Sequence, residues 1–184
     1  MLKTKSEEQT NEGLGLVTFY DVREAFKTEK LLKKSGYAVK AVLPPPQFRN
    51  GCDTAVEFNI VERVGVERFL ENNKVGYLDV ISIDNFGIRP LELVKRTDFG
   101  DSIMIRAGMV KITVDKKTGT IVNISGGGCP DIPYLYIQLI DKKITEAPRP
   151  KEIGYTLCAY LLDRAFEEAL EVYSAFKGEA HVEK

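Results

Sequence analysis

From Leu14 to Leu43 the chain reads as a strand, a capped helix and a second strand, and that order restricts its topology more than any other feature. LGLVTFY, residues 14–20, is a short apolar strand. Asp21 follows, with Glu24 three positions later at the spacing of an N-terminal capping box. The helix predicted from Val22 to Ser35 sets Val22, Ala25, Phe26, Leu31 and Leu32 on roughly one face, and Gly36 ends it. YAVKAVL, residues 37–43, alternates weakly as a strand does. Handedness and connection rules then leave a parallel or a split β-α-β arrangement.

Three prolines at 44–46 stop that strand, and Asn50-Gly51 signals a turn before Cys52. TAVEFNIV (54–61) and YLDVISI (77–83) read as further strands, with a helix between them over 64–73. Two strands over 102–107 and 109–114, and a return over 120–124, form a hairpin with a polar loop at Asp115–Gly119. SGGGCPD, residues 125–131, leads into a helix over 132–142, and APRPKEIG (147–154) precedes a final helix over 151–176. The segments divide into a disordered tail (1–13), an α/β lobe (14–84), a connection (85–101) and an α+β lobe (102–184). The expected fold class is α+β: an N-terminal β-α-β lobe with a mixed sheet, then a β-hairpin packed with two helices.

The net charge of −1 supplies no basic footprint for nucleic acid. Apolar stretches fall far short of a membrane span. The polar, mixed-charge start, MLKTKSEEQTNEG, lacks an apolar signal core and points to the cytoplasm. Lys27, Lys30, Lys33 and Lys34 read as a solvated helix face. Asp163, Glu167, Glu168 and Glu171 read as the outer side of the last helix, with nothing to bury them. A third reading is a structural subunit of a homo-oligomer, with that helix as its packing surface.

Chemistry narrows to sulfur. His181 is the only histidine and lies in the tail, so catalysis by Ser-His-Asp or Cys-His arrangements is not expected. Three cysteines, Cys52, Cys129 and Cys158, are widely spaced and form no CxxC pair, so neither a zinc knuckle nor a disulfide framework is expected. Cys129 stands where a helix begins, and free amides there favour a thiolate, while Asp131 opposes it. Cys52 has Arg49 nearby, a cation that lowers a thiol's pKa. Cys158 lines up with Leu161, Leu162, Ala165, Ala169 and Tyr173 and reads as core. SGGGCPD is equally consistent with a tight structural turn holding a small buried cysteine.

Phe19 to Phe58 resembles the small selenium/sulfur carrier-like proteins of bacteria and archaea. Ala25, Glu29, Lys30, Leu32 and Gly36 show a pattern related to the Ala-x-x-x-Glu-Lys-x-Leu-Lys-x-x-Gly of that family. Pro44 to Pro46 and Cys52 stand where the family has its prolines and its cysteine, although Cys52-Asp53 replaces Cys-Gly and Arg49 is displaced. The resemblance covers about the first third of the chain. It implies that Cys52 takes up a sulfur or selenium atom and hands it to a partner protein. Cys52 and Cys129 would form a relay or redox switch if their Cα atoms came within about 7 Å.

A second function class remains open. Gly126, Gly127 and Gly128 can turn backbone amides toward a small anionic ligand, with Asp131 beside them and Arg149 as a cationic clamp. On that reading the protein is a non-enzymatic binding module that tolerates Cys129→Ser but not bulk at Gly127 or Gly128.

Overall fold

A computed structural model of the chain describes residues 13–49, 53–83 and 90–180. Cys52, the Asn50-Gly51 turn, His181 and residues 1–12 of the expected tail lie outside the described residues. The chain forms two compact units, Met1–Leu91 and Glu92–Lys184. As expected, the class is α+β.

The first unit runs β1 (Leu14–Thr18), α1 (Val22–Lys34), β2 (Lys40–Leu43), β3 (Ala55–Asn59), α2 (Arg63–Asn72) and β4 (Asp79–Ser82). A two-residue strand, β5 (Leu91–Glu92), lies at the sheet edge beside β2. The order across the sheet is β4-β1-β3-β2-β5. β3 pairs antiparallel with both β1 and β2, so β1 and β2 run the same way with β3 between them. β4 pairs antiparallel with β1 on its other side. This is the split β-α-β, twice over, in the ferredoxin-like order. The expected mixed sheet is corrected on one point: β3 separates the parallel strands, so the pairs β1–β3, β2–β3 and β1–β4 are all antiparallel.

Strand alternation explains the core. Val17, Phe19, Val56, Phe58 and Val80 join Ala25 and Leu32 of α1 and Val66 and Leu70 of α2 in one buried cluster. Leu16, Val42, Ala55 and Ile83 form a second cluster. Asp21 caps α1 as its position suggests, accepting from the Arg23 N–H at 2.7 Å, while Glu24 pairs with Lys27. Lys27, Lys30, Lys33 and Lys34 are exposed, as expected of a solvated face.

The buried face of α1 contains a charge that periodicity did not anticipate. Glu29 is 1% exposed. One of its carboxylate oxygens accepts from the Ala41 N–H at 3.1 Å and from Lys33 Nζ at 2.8 Å. The helix thereby fixes where β2 begins, which gives the glutamate of the carrier-like pattern a structural role. Glu29→Ala is expected to lower stability by roughly 1–3 kcal/mol, because the buried Ala41 N–H loses its acceptor. Urea unfolding of the purified variant measures this.

The second unit runs β6 (Val94–Asp98), β7 (Ser102–Ala107), β8 (Val110–Asp115), β9 (Ile121–Gly126), α3 (Asp131–Leu139), α4 (Pro150–Ile153) and α5 (Leu157–Ala180). Its sheet is an antiparallel meander, β6-β7-β8-β9. Strict alternation in β7 and β8 turns Ile103, Ile105, Ala107, Val110, Ile112 and Val114 to one face. α5 packs on that face through Ala159, Leu162, Ala165, Phe166 and Ala169, and α3 adds Leu135 and Leu139. Two expectations are corrected here. The connection expected over 85–101 contains β6, which pairs with β7, so the expected hairpin strands belong to a four-stranded sheet. The helix expected over 151–176 is two helices, α4 and α5, separated by Gly154-Tyr155-Thr156.

Candidate functional site

Two segments meet at one end of the second unit. The first is SGGGCPD, which carries the chain from β9 into α3. The second is Gly154-Tyr155-Thr156-Leu157-Cys158, which carries it from α4 into α5. Cys129 and Cys158 are joined as a disulfide between them, with Cα atoms 6.5 Å apart. This corrects the expectation that no disulfide forms, and it gives Cys158 a sulfur partner as well as a place at the core's edge. The two cysteines are 29 residues apart in sequence, so only the convergence of the two helix starts brings them together. Cys129 lies beside the cap of α3, which begins at Asp131, one residue earlier than expected, with Pro130 at the cap.

Asp131 ties the same two segments a second time. It is 7% exposed. Its Oδ2 accepts from the Tyr155 N–H at 2.8 Å, the Thr156 N–H at 2.6 Å and the Thr156 hydroxyl at 2.8 Å. Burial pushes this carboxyl up, but the Thr156 N–H, the Thr156 hydroxyl and the Tyr155 N–H outweigh it and hold the group below its ordinary value. Thr156 Oγ1 in turn accepts from the Cys158 N–H at 3.3 Å, capping the first turn of α5, and lies 3.2 Å from Cys129 Sγ. One carboxylate therefore positions the loop, the helix start and the hydroxyl that touches the sulfur.

The glycines divide by role. At Gly126, a Cβ would come within 2.9 Å of Val110 and 3.0 Å of Ile132, so its bareness lets α3 close onto the sheet. Gly128 turns the chain at φ +68°. Gly127 and Gly128 are exposed, and a Cβ at Gly128 would meet nothing within 4 Å.

Arg149 is committed elsewhere. Its Nε and Nη2 donate to the two carboxylate oxygens of Asp163 at 2.7 and 2.6 Å, and Nη2 donates also to Glu167 at 2.7 Å. Asp163 above all, then Glu167, holds the guanidinium pKa above its ordinary value, against the opposing effect of burial. Lys151 adds a contact to Asp163 at 3.1 Å. The expectation that nothing buries the carboxylates of α5 is corrected at Asp163, which is 4% exposed and paired with Arg149. In the first unit, Arg49 Nε donates to the Pro44 carbonyl at 2.9 Å, which braces the proline turn.

Comparison with known proteins places these units. Residues 14–82 match the family described as "Putative Se/S carrier protein-like", and residues 93–179 match a domain of unknown function, DUF8182. The chain is 44% identical over 168 residues to the uncharacterized protein MJ0011 of Methanocaldococcus jannaschii, a match spanning 88% of this chain and 84% of that one. This chain belongs to the same family. Its first unit carries the Se/S carrier-like domain that the Ala25–Gly36 pattern indicated. No solved structure matches.

Tyr155 and Thr156 entered no reading of the sequence. A signal was present: a threonine immediately before an apolar helical run is a readable N-cap. Asp131→Asn is expected to lower stability at neutral pH by roughly 1–3 kcal/mol, the scale for hydrogen bonds to a charged acceptor. The folded carboxyl sits below its unfolded value, so its contribution is complete above about 3.8 and fades as pH falls through the folded pKa. Urea unfolding of wild type and variant should therefore separate at neutral pH and converge in acid.

Proposed function

We propose that the protein is a thiol-based carrier of sulfur or selenium, with Cys52 as the sulfur that accepts and passes on the cargo atom. One observation carries the reading: Cys129 and Cys158 are bonded to each other, and Cys52 is the one cysteine of three outside that pair. The carrier-like match over residues 14–82 contains Cys52 and supports the same choice.

The chemistry needs only a thiolate. Cys52 attacks the outer sulfur of a persulfide donor, RS–SH. The S–S bond of the donor breaks, RS⁻ leaves and takes a proton, and Cys52 holds the transferred sulfur as a persulfide. An acceptor thiolate then attacks that outer sulfur and Cys52 returns to its starting form. No net oxidation occurs in either transfer, and no histidine base is required. The partners are a protein that supplies the persulfide and one that consumes it. The cytoplasm suits such a cycle, because small thiols there keep Cys52 reduced. The anion-binding alternative gains nothing from the site, since Arg149 is held by Asp163 and Glu167 and the Asp131 carboxylate is turned to Tyr155 and Thr156.

Intact-mass spectrometry tests the assignment. The full chain is incubated with a small-molecule persulfide and then offered an acceptor thiol. The Cys129→Ser/Cys158→Ser double variant is expected to gain and then lose the mass of one sulfur atom, and the same variant with Cys52→Ser added to gain none. Equal loading of the two, or none of the double variant, would contradict the assignment.

A further inference from the structure

We propose that Cys129 and Cys158 form a second, independent reactive centre, a thiol–disulfide exchange site for small thiols and their disulfides, in which Cys129 is the sulfur attacked and Cys158 the sulfur that leaves. The proposal goes beyond the carrier reading and does not rest on it.

Three observations carry it. The disulfide is accessible. Both cysteines are half-buried rather than sealed in the core, and Cys129 follows directly on the exposed Gly127 and Gly128. The pair is also preorganised without its covalent bond. The three hydrogen bonds of Asp131 hold residue 131 against residues 155 and 156, so the sulfurs at 129 and 158 stay neighbours when reduced. A dithiol held in this way recloses readily, because little chain freedom is left to lose.

The third observation is an asymmetry between the sulfurs. Cys158 is the second residue of α5, a helix of 24 residues, where the positive end of the helix dipole favours negative charge on sulfur. Cys129 faces the Thr156 oxygen at 3.2 Å. That hydroxyl donates its proton to Asp131, so toward Cys129 it presents a lone pair, which favours a protonated or bonded sulfur over a thiolate. A low-pKa thiol leaves faster, so exchange runs through departure of Cys158.

The electron balance is that of ordinary exchange. A small thiolate RS⁻ attacks Cys129 Sγ, the Cys129–Cys158 bond breaks, and Cys158 leaves as a thiolate. A second RS⁻ attacks the R sulfur of the Cys129 mixed disulfide, releasing RSSR and the Cys129 thiolate. In total the protein disulfide gains two electrons from two RSH, which are oxidised to RSSR. In the reverse direction Cys158 attacks the Cys129 mixed disulfide and closes the pair.

The test uses folded full-length Cys52→Ser, so that its outcome is separate from the fate of the carrier reading. The oxidised protein is treated with reduced glutathione, quenched after short intervals with an excess of a fast maleimide, then digested and mapped by mass spectrometry. The expected product carries glutathione on Cys129 and maleimide on Cys158, and omitting the maleimide lets oxidised glutathione restore the disulfide in full. Glutathione found mainly on Cys158, equal adducts on both, or a disulfide that opens only after unfolding in urea would each overturn the proposal. The readout needs no substitution at either cysteine, so misfolding of a cysteine variant does not obscure it.

Discussion

The carboxylate of Asp131 is the interaction on which the second unit's reactive end depends. It sits in the first turn of α3, where the helix dipole also favours a negative charge. From there it satisfies two backbone amides and a hydroxyl in the segment before α5. Those donors lie, partly buried, just ahead of a helix start. Removing one acceptor would release three donors together, which makes the junction cooperative. The positions of Thr156, Cys158 and Cys129 follow from that junction.

The first unit uses the same device. Glu29 is buried on α1 and accepts the backbone N–H that opens β2. In each unit one buried carboxylate, spent on main-chain donors, fixes where the next element begins. Apolar periodicity then does the rest, through the α1 and α2 faces in one case and the α5 face in the other. A buried acid in such a place is structural in origin, and in the second unit it also sets the surroundings of a sulfur.

β7 and β8 were legible because apolar residues recur in them at a spacing of two, with Gly100, Gly108 and Gly119 around them, and β1 because it is a short apolar run. β6 was not, because Val-Lys-Arg-Thr-Asp at a sheet edge buries little and shows no alternation. The break before α5 was hidden by apolar residues on both sides of Gly154-Tyr155-Thr156. The burial of Asp163 could not be read from its own helix, because its partner Arg149 precedes α4. The sulfur pair was the least legible of all. Nothing in spacing joins residues 129 and 158, and only the packing of α3 and α5 on one sheet face does so. Glu29 shows the opposite case: the carrier-like pattern marked the residue, while its reason, an N–H twelve residues away, needed coordinates.

Amide hydrogen exchange on the reduced full-length protein tests most directly whether the carboxylate, and not the sulfur bond, holds this end together. With the disulfide opened by a small thiol, the Tyr155 and Thr156 amides should keep their protection, and should lose it when Asp131 is replaced by alanine. Rapid exchange of both amides upon reduction alone, while the buried middle of α5 remains protected, would contradict the account.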